Sequence, residues 1–212
     1  TDVGALRDQM RWANAFLAGL GFAGAHLDVL ECEDVNSLET ALWGLSPAQS
    51  VAKAATYGLP RQKRGGLDFA IDHLARHAPA PKDEVPLPAG APFGALRVNA
   101  DTCTLCKACI GACPESALLD AQDAPALRFI ERNCVQCGLC ANTCPEQAIT
   151  LVPRLLLTPK AKEPVVLHED QPFACVRCGK PFGTRAMVRN MIGKVGGHSM
   201  FSGGGALKRL EM

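Results

Sequence analysis

Residues 103–114 read Cys-Thr-Leu-Cys-Lys-Ala-Cys-Ile-Gly-Ala-Cys-Pro, and residues 134–145 read Cys-Val-Gln-Cys-Gly-Leu-Cys-Ala-Asn-Thr-Cys-Pro. Both stretches follow the spacing C-x2-C-x2-C-x3-C-P, and each cysteine of the second lies 31 positions after its counterpart in the first. Apolar residues around the motifs keep the same offset: Leu96 with Leu127, Val98 with Phe129, Ala117 with Ala148, and Leu118 with Ile149. Matching spacing and matching flanks predict an internal duplication.

The residues that flank each motif predict the secondary structure of the duplicated region. Apolar positions before each motif predict a strand, and Pro114 and Pro145 suit the first turn of a short helix. Leu118 and Ile149 then begin second strands, so each copy is predicted as a β-α-β unit. The fold class predicted for the chain is α+β, with this duplicated βαβ module between an N-terminal region and a small C-terminal segment.

The cysteine spacing also indicates the metal. A cubane needs four thiolates around one compact body, and three cysteines at two-residue gaps wrap a loop that presents three of them. The fourth cysteine precedes a helix that leads away, which places it better for the other cluster. Zinc sites usually place two separated pairs around one ion. No motif position carries a substitute for cysteine, so the pattern favours two [4Fe-4S] clusters over zinc and over a three-iron variant.

These motifs resemble those of bacterial two-cluster ferredoxins across residues 94–153 and at every ligand position. The resemblance implies the following two ligand sets: Cys103, Cys106, Cys109 and Cys144 for the first cluster, and Cys134, Cys137, Cys140 and Cys113 for the second. It also implies that the chain transfers single electrons at low potential. The overall layout is similar to longer cytoplasmic iron-sulfur proteins associated with formate dehydrogenases.

Composition changes along the chain predict four segments. Residues 1–78 are expected to be helical or α/β, 79–93 a linker, 94–153 the iron-sulfur domain, and 154–212 a C-terminal segment. The linker is predicted because Pro79, Pro81, Pro86, Pro88 and Pro92 remove amide donors and fix φ.

Within residues 1–78, apolar spacing and capping patterns predict several elements. A helix with Leu6, Met10, Ala13, Leu17 and Leu20 on one face is expected to end at Gly21. A strand is expected over residues 25–30. Two helices are expected to begin at the capping pairs Asn36 with Glu39 and Ser46 with Gln49. A further helix is expected at Leu67, Ala70, Ile71, Leu74 and Ala78, after the basic stretch 61–64.

Three further cysteines lie outside the motifs. Cys175 and Cys178 are spaced like one knuckle of a zinc ribbon, with His168 and His198 as the nearby candidate ligands. An unligated pair, or a site completed by residues beyond this chain, is the alternative. Cys32 has no partner in sequence and is expected to be a small buried hydrophobe.

Two basic residues flank the motifs. Lys107 and Arg132 would raise a cluster potential if they pointed inward, but both are expected to be solvated, because Lys and Arg are rarely buried. Gly111, Ala112 and Gly138 are small enough for the backbone to approach the sulfurs closely.

Charge and composition restrict the functional classes. Lys and Arg number 22 against 21 Asp and Glu. The chain therefore lacks the excess of positive charge that would predict binding to nucleic acid. The apolar runs are too short for membrane insertion, and many reduced cysteines suggest the cytoplasm. No catalytic constellation is recognisable, so the chain is not expected to be an enzyme alone. The expected partner is a redox protein or a larger oxidoreductase, such as a dehydrogenase or hydrogenase. The alternative is a redox-sensing or assembly protein.

Overall fold

The computed structural model describes residues 3–58, 60–201, 205 and 207–211. Helices and strands follow one another in an α+β arrangement. In chain order the elements are α1 (Val3–Gly19), α2 (Val35–Trp43), α3 (Lys63–Arg76), β1 (Glu84–Pro86), β2 (Gly94–Val98), α4 (Ala108–Gly111), β3 (Leu118–Asp120), β4 (Ala126–Phe129), α5 (Leu139–Thr143), β5 (Ile149–Leu156), β6 (Val165–Glu169), β7 (Pro172–Ala174), β8 (Pro181–Thr184) and α6 (Arg185–Val195). Within the described ranges, no helix combines the length and apolarity needed to cross a bilayer.

The chain divides into two units. The first unit contains the described residues up to Gly94 together with Pro153–Ala161, and the second contains Ala95–Val152 and the described residues from Lys162 onward. The boundaries therefore differ from the four segments expected from composition.

The first unit begins with the predicted amphipathic helix. Helix α1 buries Phe16, and Leu20 just beyond it is fully buried. Gly21 follows with a φ of 86° and donates its amide to the carbonyl of Ala18 at 3.0 Å. A left-handed residue at this place ends the helix, as predicted, because glycine has no Cβ to oppose that conformation.

Residues 25–30 do not form the predicted strand. The side chain of Asn14 forms hydrogen bonds with the backbone groups that a neighbouring strand would otherwise pair with. Its Nδ2 donates to the carbonyl of Leu27 at 2.8 Å, and its Oδ1 accepts the amides of His26 and Leu27 at 3.3 and 3.2 Å. Since these backbone groups are already paired, the segment remains an irregular connection. Cys32 is accordingly exposed rather than buried.

Of the two helices expected between residues 36 and 49, one forms. Helix α2 is capped by Asp34, whose carboxylate accepts the Ser37 amide at 2.7 Å while Ser37 Oγ accepts the Asp34 amide. The cap thus lies two residues before the predicted one. No helix follows Ser46, because the Gln49 side chain accepts the Ala23 amide at 2.9 Å instead of capping.

The proline-rich stretch 79–93 is part of the first unit's core, whereas a linker was expected. Val85, Leu87, Ala91 and Phe93 are buried with residues of α1 and α3. Strand β1 pairs antiparallel with β5, with Val85 opposite Leu155. Strand β1 lies at the edge of the order β1-β5-β2, where a proline such as Pro86 is tolerated.

Helix α3 confirms the fourth predicted helix and contributes a basic residue to the core. The Arg64 guanidinium lies 4.0 Å from the centre of the Phe93 ring and donates to the Pro92 carbonyl at 2.7 Å. Trp12 meets the same ring edge-on, with centroids 5.6 Å apart. The basic stretch therefore includes one residue that packs on the core.

The second unit contains the duplicated motifs, but in a different strand arrangement from parallel βαβ units. Each half has the chain order strand, helix, strand. The two strands of one half, however, belong to different sheets, ordered β1-β5-β2 and β3-β4-β6. Strands β3 and β4 pair antiparallel, with Leu118 opposite Phe129. Because consecutive strands join by a short turn, no crossover connection is needed.

Thr184 joins the C-terminal part of the second unit to the first cysteine motif. This threonine is 5% exposed and caps α6 by accepting the Met187 amide at 3.1 Å. Its hydroxyl also donates to the Thr104 carbonyl at 2.9 Å. One side chain therefore fixes both a helix start and the loop between the first two motif cysteines.

Replacing Gly21 with alanine is expected to lower the free energy of unfolding by more than the same change at Gly90. Both glycines have φ of 86°, which opposes a Cβ by about 1–2 kcal/mol. A Cβ at Gly21 would also lie 2.8 Å from Ala80 Cβ, whereas Gly90 has nothing within 4 Å. Urea denaturation of the two variants measures the difference. Equal losses would show that the close contact adds nothing.

Thr184→Val is expected to lower the free energy of unfolding by about 1–3 kcal/mol, because the Thr104 carbonyl and the Met187 amide both lose their partner. Thr184→Ser keeps the hydroxyl and is the matched control, with a loss well below that of valine. Anaerobic urea denaturation compares them. Similar losses for serine and valine would mean that the methyl group, rather than the hydroxyl, is important.

Candidate metal centre

Cysteine side chains line two cavities of the second unit. The first is lined by Cys103, Cys106, Cys109 and Cys144. The second is lined by Cys113, Cys134, Cys137 and Cys140. Each cavity therefore combines three cysteines of one motif with the last cysteine of the other.

The loops that carry the first three cysteines have an unusual backbone. Leu105 and Gln136 have φ of 54° and 53°, and Lys107 and Gly138, which precede α4 and α5, have φ of 63° and 78°. Only Gly138 adopts this region without strain. Non-glycine residues with positive φ cluster at functional sites, where the surrounding structure maintains them. The duplication therefore extends to the backbone angles, which the sequence did not reveal.

Backbone amides point at the sulfurs in the same way in both halves. Cys113 Sγ accepts the Ala117 amide and Cys144 Sγ accepts the Ala148 amide, each at 3.3 Å. The Gln136 amide lies 3.5 Å from Cys134 Sγ. Such donors stabilise negative charge on sulfur, which a metal-bound thiolate carries.

Burial acts against ionisation of four of the eight motif thiols. It raises the pKa of Cys109 to about 11, and the nearby thiols of Cys103 and Cys106 add to the effect. Burial also raises the pKa of Cys103, Cys134 and Cys140. These groups become thiolates near neutral pH only when a cation replaces the proton. The buried sulfurs thus fit a metal cluster.

The sulfur arrangement suits a cluster better than a single ion. In the part of the chain that the structure describes, no three His, Cys, Asp or Glu side chains converge closely enough for one metal ion. Four sulfurs around each cavity, with amide donors and apolar walls, match the requirements of a cubane. The residues present therefore fit [4Fe-4S] clusters.

Of the two basic residues beside the motifs, Lys107 is paired and Arg132 is buried. Lys107, on the wall of the first cavity, forms an ion pair with Asp120 at 2.7 Å. Arg132 is 6% exposed and does not have the predicted solvated position. It lies in a 3-10 turn, Glu131–Asn133, that follows β4 immediately and positions it inside the unit.

Glu146 is a wall residue of the first cavity that sequence reasoning missed. Lys194 Nζ and Asn190 Nδ2 donate to its carboxylate at 2.6 and 3.2 Å. These hydrogen bonds hold the pKa of Glu146 below its usual value, and the bond from Lys194 has the largest effect. No motif spacing connects residue 146 with α6, so only the folded chain could reveal this contact.

Cys175 and Cys178 lie on the turn between β7 and β8, and no third ligand joins them among the residues that the structure describes. The Gly179 amide, at a φ of 72°, donates to the Cys175 carbonyl at 2.9 Å. Hydrogen bonds from the amides of Cys178 and Arg177 lower the pKa of Cys175. Cys175 is buried and Cys178 exposed. As no third ligand joins them within the described ranges, the zinc interpretation is not supported.

The histidines named as candidate ligands have other places in the structure. His168 lies in β6, opposite Leu127 of β4. His198 Nδ1 is hydrogen-bonded to the Met200 amide at 3.2 Å. Neither forms a group of three ligand side chains with the knuckle.

Two family models match the chain, and both are described as 4Fe-4S dicluster domains. One covers residues 97–149, which include all eight motif cysteines, and the other covers residues 133–181. The second reaches the knuckle, but Pro181 stands where a third cysteine would continue the C-x2-C-x2-C spacing. Comparison with curated proteins gives no match. The two family matches support an iron-sulfur module of the ferredoxin type, and such a module indicates electron transfer.

Proposed function

We propose that this chain relays single electrons through two [4Fe-4S] clusters to or from a larger oxidoreductase. The supporting observation is that each of two cavities is lined by four cysteines, three from one motif and one from the other. The proposed ligands are Cys103, Cys106, Cys109 and Cys144 for the first cluster and Cys134, Cys137, Cys140 and Cys113 for the second. Each cluster, when bound, takes up and releases one electron.

Residues of the chain prepare both sites for added negative charge. Amides of Ala117 and Ala148 donate to the sulfurs of Cys113 and Cys144. Apolar residues exclude water, and one continuous core contains both Cys109 and Cys140. Since each of these cysteines belongs to a different cavity, the space between the two sites is protein rather than solvent. This supports transfer from one site to the other.

The exposed cysteine of each cavity indicates where a partner would approach. Cys106 and Cys137 are exposed, whereas Cys109 and Cys140 are buried. Leu139, beside the second cavity's cysteines, is 46% exposed and offers apolar contact area. A dehydrogenase such as a formate dehydrogenase, or a hydrogenase, is the proposed class of partner. A reducing location such as the cytoplasm is part of the proposal, because cluster ligation needs reduced cysteines.

The exposure of Cys106 and Cys137 also favours a second candidate, a redox sensor that loses a cluster on oxidation. The two functions differ in reversibility. A carrier regains its full reduced spectrum after repeated oxidation and reduction, whereas a sensor loses iron and changes its binding to a partner. Repeated anaerobic redox cycling with iron analysis after each cycle distinguishes them.

The anaerobically purified protein is expected to contain about eight irons, because two cubanes hold four each. Two one-electron signals are expected in a redox titration followed by electron paramagnetic resonance. A colourless protein that contains only zinc would overturn the proposed function.

Paired cysteine replacements test the crossed ligand sets. If Cys113 and Cys134 hold the same cluster, the double variant to serine is expected to retain about four irons. The matched double variant of Cys113 and Cys106 removes one ligand from each cluster and is expected to lose both. The opposite pattern would show that each motif holds its own cluster. Iron and sulfide analysis with paramagnetic resonance measures the outcome.

A further inference from the structure

The duplication places two different side chains at one equivalent position. Leu105 and Gln136 both stand immediately before the second cysteine of their motif, 31 residues apart. Their φ angles, 54° and 53°, agree closely. In both halves the residue's own amide donates to the first cysteine, Cys103 or Cys134. The two sites thus have the same backbone conformation and differ in whether the side chain can donate a hydrogen bond.

The Gln136 carboxamide makes a second hydrogen bond to sulfur. Its Nε2 lies 3.4 Å from Cys134 Sγ and 3.1 Å from the Ala95 carbonyl oxygen. Both neighbours are acceptors, so the nitrogen must face them, because the opposite orientation would place Oε1 against a sulfur and a carbonyl oxygen. Oε1 itself is buried without a partner among the described residues. The side chain is therefore oriented by its two donated bonds.

The first half has no counterpart to this bond. Leu105 is 4% exposed and packs in the apolar core, and its side chain has no hydrogen-bond donor. The carbonyl equivalent to that of Ala95 belongs to Ala126, and it accepts the Ala121 amide at 3.2 Å. The first cysteine of the first motif therefore receives only the backbone donor at this position.

We propose that Gln136 sets the reduction potential of the cluster held by Cys134 and raises it above the value that an apolar residue would allow. This inference rests on the proposed function, in which Cys134 is a ligand. Reduction adds one negative charge to the cluster and its sulfurs, and a hydrogen bond strengthens as its acceptor becomes more negative. The carboxamide therefore stabilises the reduced state more than the oxidised state. Gln136 acts through the sulfur and is a positioning residue.

The experiment exchanges the two side chains in the complete, cluster-loaded protein. Gln136→Leu gives the second site the residue of the first, and the equilibrium constant for reduction of one cluster is expected to fall about threefold to tenfold. At about 59 mV per decade for one electron, this is a decrease of roughly 30–60 mV in one midpoint potential. The other midpoint is expected to stay unchanged. A redox titration followed by paramagnetic resonance measures both.

Leu105→Gln is the reciprocal variant and is expected to raise the midpoint that Gln136→Leu leaves unchanged. Two unchanged midpoints in Gln136→Leu, at full iron content, would overturn the proposal. Loss of the second cluster in that variant would also overturn it, since Gln136 would then be required for assembly rather than for potential.

Iron and sulfide content separate this inference from the proposed function. Full content with two reversible signals but no shift removes the role of Gln136 and leaves the electron carrier intact. A wild-type protein without iron-sulfur clusters removes both.

Discussion

Negative charge on buried sulfur is the constraint on which the second unit depends. Burial raises the pKa of Cys109 to about 11, so an ionised thiol there needs compensation. Backbone amides donate to several of the other motif sulfurs: those of Ala117 and Ala148 to Cys113 and Cys144, and those of Leu105 and Gln136 to Cys103 and Cys134. Leu105 and Gln136 donate these amides from left-handed conformations, which carry backbone strain. Apolar walls and strained loops therefore belong to one arrangement.

The local part of this arrangement could be predicted from the sequence, because residue spacing encodes it. The C-x2-C-x2-C-x3-C spacing indicated an iron-sulfur module, and the three- and four-residue apolar repeat indicated α1. Family matches support the module, and the structure contains the helix. Hydrophobic periodicity predicts an element correctly when the residues on one face of that element determine its structure.

Contacts between distant residues could not be predicted in this way. The expected strand at residues 25–30 is replaced by hydrogen bonds from Asn14, and the proline-rich stretch packs Val85 and Phe93 in a core. Arg132 is buried against the general tendency of arginine, and Glu146 meets Lys194 across 48 residues. Each outcome depends on a partner that no local pattern identifies. The side chain of Gln136 belongs to the same class, since its acceptor Ala95 lies 41 positions earlier.

The mixed lining of the two cavities has a consequence for how such a chain matures. Cys144 reaches a cavity whose other three cysteines precede it by at least 35 residues, and Cys113 lines a cavity formed mainly by later residues. When a nascent polypeptide has been synthesised only as far as Cys113, neither cavity therefore has all four of its cysteines. Clusters delivered during synthesis would find incomplete ligand sets. Cluster insertion is therefore best suited to the complete, folded chain.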